Sequence, residues 1–133
     1  MIVHGACHCG AIAYEAEVDP ARAAICHCID CQTLSGAAFR ASVPARIEDF
    51  RLLKGAPRTY VKTAESGNRR VQAFCGDCGS PFYSADAVDA KIYNLRIGTL
   101  AERAALPPQR EIWCESALPW TRDVLVLPKV NKQ

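Results

Sequence analysis

The chain has 133 residues, half of them hydrophobic and 23% charged, a length and composition that collapse around one core and exclude a disordered tail, so residues 1–133 are expected to form a single domain. A formal charge of +2, with acids and bases spread along the whole chain, gives no electrostatic pull toward nucleic acid or anionic lipid, and neither is expected as a partner. No apolar run approaches the about 20 residues that span a bilayer, and Met1-Ile2-Val3-His4 has none of the build of a secretory signal, so a cytoplasmic protein without a membrane partner is expected.

In chain order, the first strand signal lies after Cys9. Over Gly10 to Val18 the residues Ile12, Tyr14, Ala16 and Val18 recur at period two, as in a half-buried strand that Asp19-Pro20 ends. Ala23-Ala24-Ile25 then runs as a short apolar stretch toward a cysteine cluster. Asp30 to Ser35 predicts one or two helical turns, with Gly36 placed to stop them. Phe39, Ala41 and Val43 alternate with Arg40 and Ser42, predicting a second strand limited by Pro44. Phe50 to Leu53 is extended or helical, and Gly55-Ala56-Pro57 turns the chain. Arg58 to Thr63 and Val71 to Phe74 form a hairpin around Ser66-Gly67-Asn68, with Arg69-Arg70 read as part of a solvated turn. Pro81 to Ser84 and Lys91 to Ile97 are further strands, the latter alternating Tyr93, Leu95 and Ile97. Ala101 to Leu106 is helix-compatible until Pro107-Pro108, and Glu111 to Cys114 with Val124 to Leu127 are expected to complete the sheet system. The resulting expectation is a mainly β domain of short strands and hairpins with little helix.

Eight cysteines punctuate this pattern, as Cys7-His8-Cys9, Cys26-His27-Cys28-Ile29-Asp30-Cys31, Cys75-Gly76-Asp77-Cys78 and a lone Cys114. Disulfides are the competing explanation, but no secretory segment is expected, and cysteines one residue apart are awkward to bridge yet well placed to grip one ion. Zinc held by thiolates takes four ligands in a tetrahedron, and structural sites draw two from each of two tight turns. Cys7 and Cys9 with Cys75 and Cys78 meet that description, with Gly10, Gly76 and Gly79 freeing amides to turn toward sulfur. Cys26, Cys28 and Cys31 then remain as a compact trio. Three protein ligands and an open fourth position are the pattern of a reactive zinc, so the trio is the candidate reaction centre.

The other residues near the cysteines receive lesser roles. In locally extended backbone, His8 and His27 have their rings thrown away from a metal shared by the flanking cysteines, although ligation by His27 stays open as the alternative. Asp30 and Asp77 are expected to cap or support rather than ligate, and Cys114, beside Trp113 in a predicted strand, to be a buried apolar thiol.

At these clusters the sequence resembles the glutathione-dependent formaldehyde-activating enzyme family, whose domain is shared with centromere protein V. The segments that carry the resemblance are Cys7-His8-Cys9-Gly10, Cys26 to Cys31 with Ser35-Gly36-Ala37-Ala38-Phe39, Phe74-Cys75-Gly76-Asp77-Cys78-Gly79-Ser80, and late Ile112-Trp113 and Leu118-Pro119-Trp120. The resemblance implies a β-rich zinc domain similar to Mss4-like folds and two Zn2+ ions. One would be structural on Cys7, Cys9, Cys75 and Cys78, the other catalytic on Cys26, Cys28 and Cys31. It further implies carbon–sulfur lyase-type chemistry, in which formaldehyde and the thiol of glutathione combine or separate.

Such chemistry suits the trio, since an incoming thiol can occupy the open position and lose its proton there. A peptide-like thiol brings carboxylates, for which Arg40, Arg96 and the amides of Ser35-Gly36 are the nearby candidates. A lone arginine on a strand is nevertheless more often solvated surface, and Trp113 and Trp120 more often core or rim than a substrate platform. Two other classes compete: a non-catalytic zinc module for protein interaction, with the trio capped by a ligand such as His27, and a zinc-ribbon-like nucleic-acid binder, which the near-neutral charge disfavours. Oligomeric state, the actual thiol and the aldehyde are not readable.

Overall fold

A computed structural model describes all residues, 1–133. The elements in chain order are β1 (Ile2–Ala6), β2 (Ala13–Glu17), β3 (Ala24–Cys26), α1 (Ile29–Ser35), β4 (Arg40–Arg46), β5 (Phe50–Lys54), β6 (Arg58–Thr63), β7 (Arg69–Phe74), β8 (Pro81–Asp86), β9 (Ile92–Arg96) and β10 (Arg110–Ile112). The protein is thus mainly β, as its alternation predicts. The strands divide into a three-stranded sheet ordered β1-β2-β5 and a seven-stranded sheet ordered β10-β3-β4-β9-β8-β7-β6. All pairings are antiparallel except β10 with β3, which run parallel.

One hydrophobic cluster joins both sheets: Val3, Tyr14 and Ala16 come from the smaller, and Val43, Phe82 and Leu95 from the larger. Tyr14 is its largest fully buried member, and its ring lies across the strand pair on Gly5. A Cβ at Gly5 would sit 2.0 Å from Tyr14 Cζ, so the absence of a side chain there is what admits the ring. The Tyr14 hydroxyl meets Thr99 Oγ1 at 3.0 Å, and because Thr99 itself donates to the Arg96 carbonyl at 2.9 Å, the phenol is the donor to Thr99.

Several expectations are corrected by this architecture. β1 is a strand that apolar alternation does not announce, since one of its inward positions is Gly5. β4 continues through Pro44, because β3 pairs with β4 only as far as Ser42, leaving a side where a missing N–H breaks no ladder bond. Arg69-Arg70 begins β7 instead of lying in a turn. Ala101 to Leu106 holds only a 3-10 turn, Arg103–Ala105; Pro107 disfavours α geometry at Leu106, and the residues left are too few to propagate a helix. Val124 to Leu127 is no strand: Pro119–Val126 coils as a 3-10 segment with Leu125 and Val126 exposed, since β-propensity counts only where a partner strand is present. Cys114 starts another 3-10 turn and is exposed, not a buried core thiol.

Candidate metal centres

Two tight turns, one from each sheet, bring the outer cysteine pairs together. After β1, the Gly10 amide donates to the Cys7 carbonyl at 3.1 Å, and after β7 the Gly79 amide donates to the Cys75 carbonyl at 2.9 Å. Each glycine directly follows the second cysteine of its pair and takes nearly the same left-handed φ, 77° and 78°. The four sulfurs of Cys7, Cys9, Cys75 and Cys78 lie within 4.8 Å of one another. Two of the separations are 3.6 Å, Cys7 to Cys9, and 3.8 Å, Cys9 to Cys75. Zinc–thiolate bonds of about 2.3 Å place sulfurs about 3.8 Å apart on a tetrahedral edge, so the spacing fits a zinc ion.

The surrounding donors support the same fit. The Ile12 amide donates to Cys7 Sγ at 3.2 Å, and the Ser80 hydroxyl lies 3.2 Å from Cys78 Sγ. That hydroxyl, aided by the Ser80 and Cys9 amides, pulls the Cys78 thiol down to about 5. At Cys9 the Ala11 amide favours the thiolate but is outweighed by the proton shared with Cys7 and by burial, which push the thiol up to about 12. Thiolates this close repel one another, and a dication is the counter-charge that lets all four ionise. His8 is exposed and gives only its backbone amide, to Ser80 Oγ at 3.0 Å. Asp77 is exposed as well.

Cys26, Cys28 and Cys31 form the second cluster, again within 4.8 Å. Cys26 ends β3, Cys28 is the N-cap of α1, and Cys31 lies in its first turns, so a strand end and a helix start converge. The Cys31 amide donates to Cys28 Sγ at 3.3 Å, making a sulfur, not Asp30, the cap. Proton sharing between Cys26 and Cys31 pushes the first thiol down and the second up. His27 is buried and turned elsewhere: Nε2 lies 2.9 Å from Glu111 Oε1, and Phe39 packs on the ring at 5.7 Å. The cluster consists of three sulfurs alone. Asp30 pairs with Lys62 at 2.5 Å.

The trio opens into a cavity of about 690 Å3. Its floor is one face of the large sheet, and the register explains its composition. Cys26 stands opposite Arg40, Ser42 opposite Arg96, Asn94 opposite Ser84, Ser84 opposite Gln72, and Arg70 opposite Lys62. Period-two geometry therefore aligns a polar stripe leading away from the sulfurs. α1, the β6–β7 hairpin tip and residues 112–116 supply the walls.

Of the candidates for holding substrate carboxylates, Arg40 and Arg96 both line this cavity, and both are buried, not solvated. Burial pushes the Arg96 guanidinium down, to about 9, and the neighbouring Arg40 charge adds to the effect. Ser35-Gly36 stands instead at the C-terminal end of α1, where the Ser35 hydroxyl is spent on the Cys31 carbonyl at 2.6 Å and the Gly36 amide on the Gln32 carbonyl at 2.9 Å. Trp113 is 44% exposed on the cavity rim with φ 57°, and Trp120 is 56% exposed outside it. Gln72 and Lys62 are cavity residues that sequence reasoning did not single out, and Arg70, read there as part of a solvated turn, lines the cavity too. For Arg70 and Gln72 the signal was alternation on β7, where they interleave with Val71 and Ala73. No helix is long and apolar enough to cross a membrane.

A family profile described as glutathione-dependent formaldehyde-activating enzyme matches residues 2–116. Among solved structures, the chain is similar to the crystal structure of a Rhodobacter sphaeroides protein, with a TM-score of 0.62 and 23% identity over 81% of this chain and 98% of the other. That likeness bears on the fold alone. Comparison with curated proteins finds no match.

Proposed function

The chain belongs to the glutathione-dependent formaldehyde-activating enzyme family, and on that premise we propose that it is a zinc-dependent carbon–sulfur lyase-type enzyme acting on a glutathione-like thiol and formaldehyde or a related aldehyde. The observation that carries this reading is the cluster of Cys26, Cys28 and Cys31, three sulfurs with no fourth protein ligand, at the mouth of a cavity of about 690 Å3. Cys7, Cys9, Cys75 and Cys78 would hold a second, structural zinc.

When bound by the trio, zinc supplies a Lewis-acid position that favours the thiolate form of an incoming thiol. The protein's own residues do the rest by position. The Cys31 amide fixes Cys28 Sγ, and the β3–β4 pairing fixes Cys26 against the cavity floor. In the forward direction a sulfur–carbon bond forms at the aldehyde carbon, the carbon–oxygen π bond opens, and the proton given up by the thiol ends on the former carbonyl oxygen. The reverse direction returns thiol and aldehyde. Lys62 lines the same cavity and is held by Asp30.

Zinc-loaded protein should accelerate exchange between formaldehyde, glutathione and S-hydroxymethylglutathione, followed by NMR exchange spectroscopy, and should carry two zincs per chain. An uncatalysed exchange rate with both zincs in place would sink the proposal.

A further inference from the structure

Arg40 and Arg96 are 8% and 6% exposed, and buried guanidinium groups are ordinarily paired with carboxylates. These two are not. Arg40 Nη1 and Arg96 Nη2 both donate to the same neutral acceptor, Gln72 Oε1, at 3.3 and 3.1 Å. Arg96 has one further acceptor, the Asn94 carbonyl at 3.3 Å, and its Nε–H has no partner. The other two cations of the cavity are each already neutralised, Lys62 by Asp30 and Arg70 by Asp86, both at 2.5 Å. The floor thus concentrates at one point two positive charges that no carboxylate pairs, with unused planar donors suited to a two-oxygen anion.

We propose that Arg40 and Arg96, oriented by Gln72, form a subsite for a carboxylate carried by the thiol substrate. This rests on the reading that the trio is the reaction centre, and it adds what that reading leaves open: which residues hold the far end of the thiol. The spacing suits a carboxylate carried by the thiol. Arg40 is directly across from Cys26, but Arg96 is one strand further and two residues along, which places its backbone about 12 Å from that of Cys26 at ordinary strand spacing and rise. A thiol with its carboxylate several bonds from sulfur spans such a separation. Gln72 is a positioning residue here: its single carbonyl oxygen holds two like charges side by side.

The test uses S-methylglutathione, which keeps the carboxylates of glutathione and has no free thiol, so its binding does not depend on the trio. Titrated calorimetrically into zinc-loaded protein, it should bind wild type, lose at least tenfold in affinity with Arg96→Gln and with Arg40→Gln, and recover part of that loss with Arg96→Lys. Arg51→Gln, which changes net charge equally at a surface ion pair with Glu15, should change affinity less than twofold. Far-UV circular dichroism checks that each variant is folded. Equal affinity for wild type and both arginine variants overturns the proposal, as does an equal loss with Arg51→Gln. Displacement of S-methylglutathione by glyoxylate at equal concentration would overturn the assignment of the carboxylate to the thiol. Arginine-dependent binding without any catalysed exchange would retain the subsite while the enzymatic reading fails.

Discussion

Replacing Cys75 and replacing Cys28 should have unlike consequences. The Cys7, Cys9, Cys75 and Cys78 centre links a turn of the small sheet to a turn of the large one, with Cys75 only 1% exposed and Cys9 separated from it by 66 positions. The trio spans only Cys26 to Cys31. Loop-closure entropy grows as (3/2)RT ln n, so the long closure constrains the unfolded chain by about 2 kcal/mol more than the short one. Structural zinc adds about 10–16 kcal/mol of apparent binding free energy in small domains, comparable with the about 5–15 kcal/mol that stabilises a whole domain. Cys75→Ser forfeits a large part of that and leaves neighbouring sulfurs without their counter-charge. The expected outcome is aggregation, or a thermal midpoint at least about 10 °C lower, with zinc content falling from two to one or none. Cys28→Ser should keep a cooperative transition within about 5 °C of wild type and lose only one zinc. Thermal unfolding by circular dichroism and zinc analysis on the same samples decide the matter. Equal losses in the two variants, or a larger loss for Cys28→Ser, would refute the division of labour between the clusters.

Gly5→Ala places a methyl group 2.0 Å from the Tyr14 ring in a core that cannot yield freely, and should cost about 1–3 kcal/mol or more in urea unfolding; an unchanged midpoint would show that the ring moves at no cost. At the edge of β1, Glu102 accepts from the His4 amide at 2.8 Å and lies 2.7 Å from His4 Nδ1, and these contacts hold its carboxyl below the ordinary carboxylate range. A depressed folded value stabilises above the unfolded one and ceases to do so as pH falls through the folded value. The gap in thermal midpoint between wild type and Glu102→Gln should accordingly be present at pH 6, shrink below about pH 4.5 and close in stronger acid; a gap that widens on acidification would contradict this.

The mainly β class and the strands whose apolar residues recur at period two were legible because alternation records burial directly. Tyr14, Ala16, Val43 and Leu95 announced their strands and are all buried. β1 did not, because its distinguishing residue is a glycine whose reason is a ring on another strand. The same limit governs the site. Cysteine spacing marked the residues that converge in two clusters, but it could not show that Arg40 and Arg96 meet over Gln72, since that depends on four strands in register. An arginine in alternation with apolar residues has the same pattern whether its face meets water or the floor of a cavity. Cys114 was misread for a related reason: β10 stops at Ile112, and the chain turns outward before the thiol is reached.

The parallel pairing of β10 with β3 also bears on the order in which the protein can be completed during synthesis. Residues 112–116 wall the cavity, and Gln32 in α1 is held by the Ser116 carbonyl at 3.0 Å. The trio therefore waits for nearly the last of the matched family region before it is enclosed. Cys7 and Cys9 likewise wait 66 residues for Cys75, a delay of about 3–13 s at ordinary elongation rates of about 5–20 residues per second. During that interval several thiols stand open on the ribosome, where oxidants and stray metals compete for them. Early protection of nascent cysteines should therefore raise the yield of correctly folded protein.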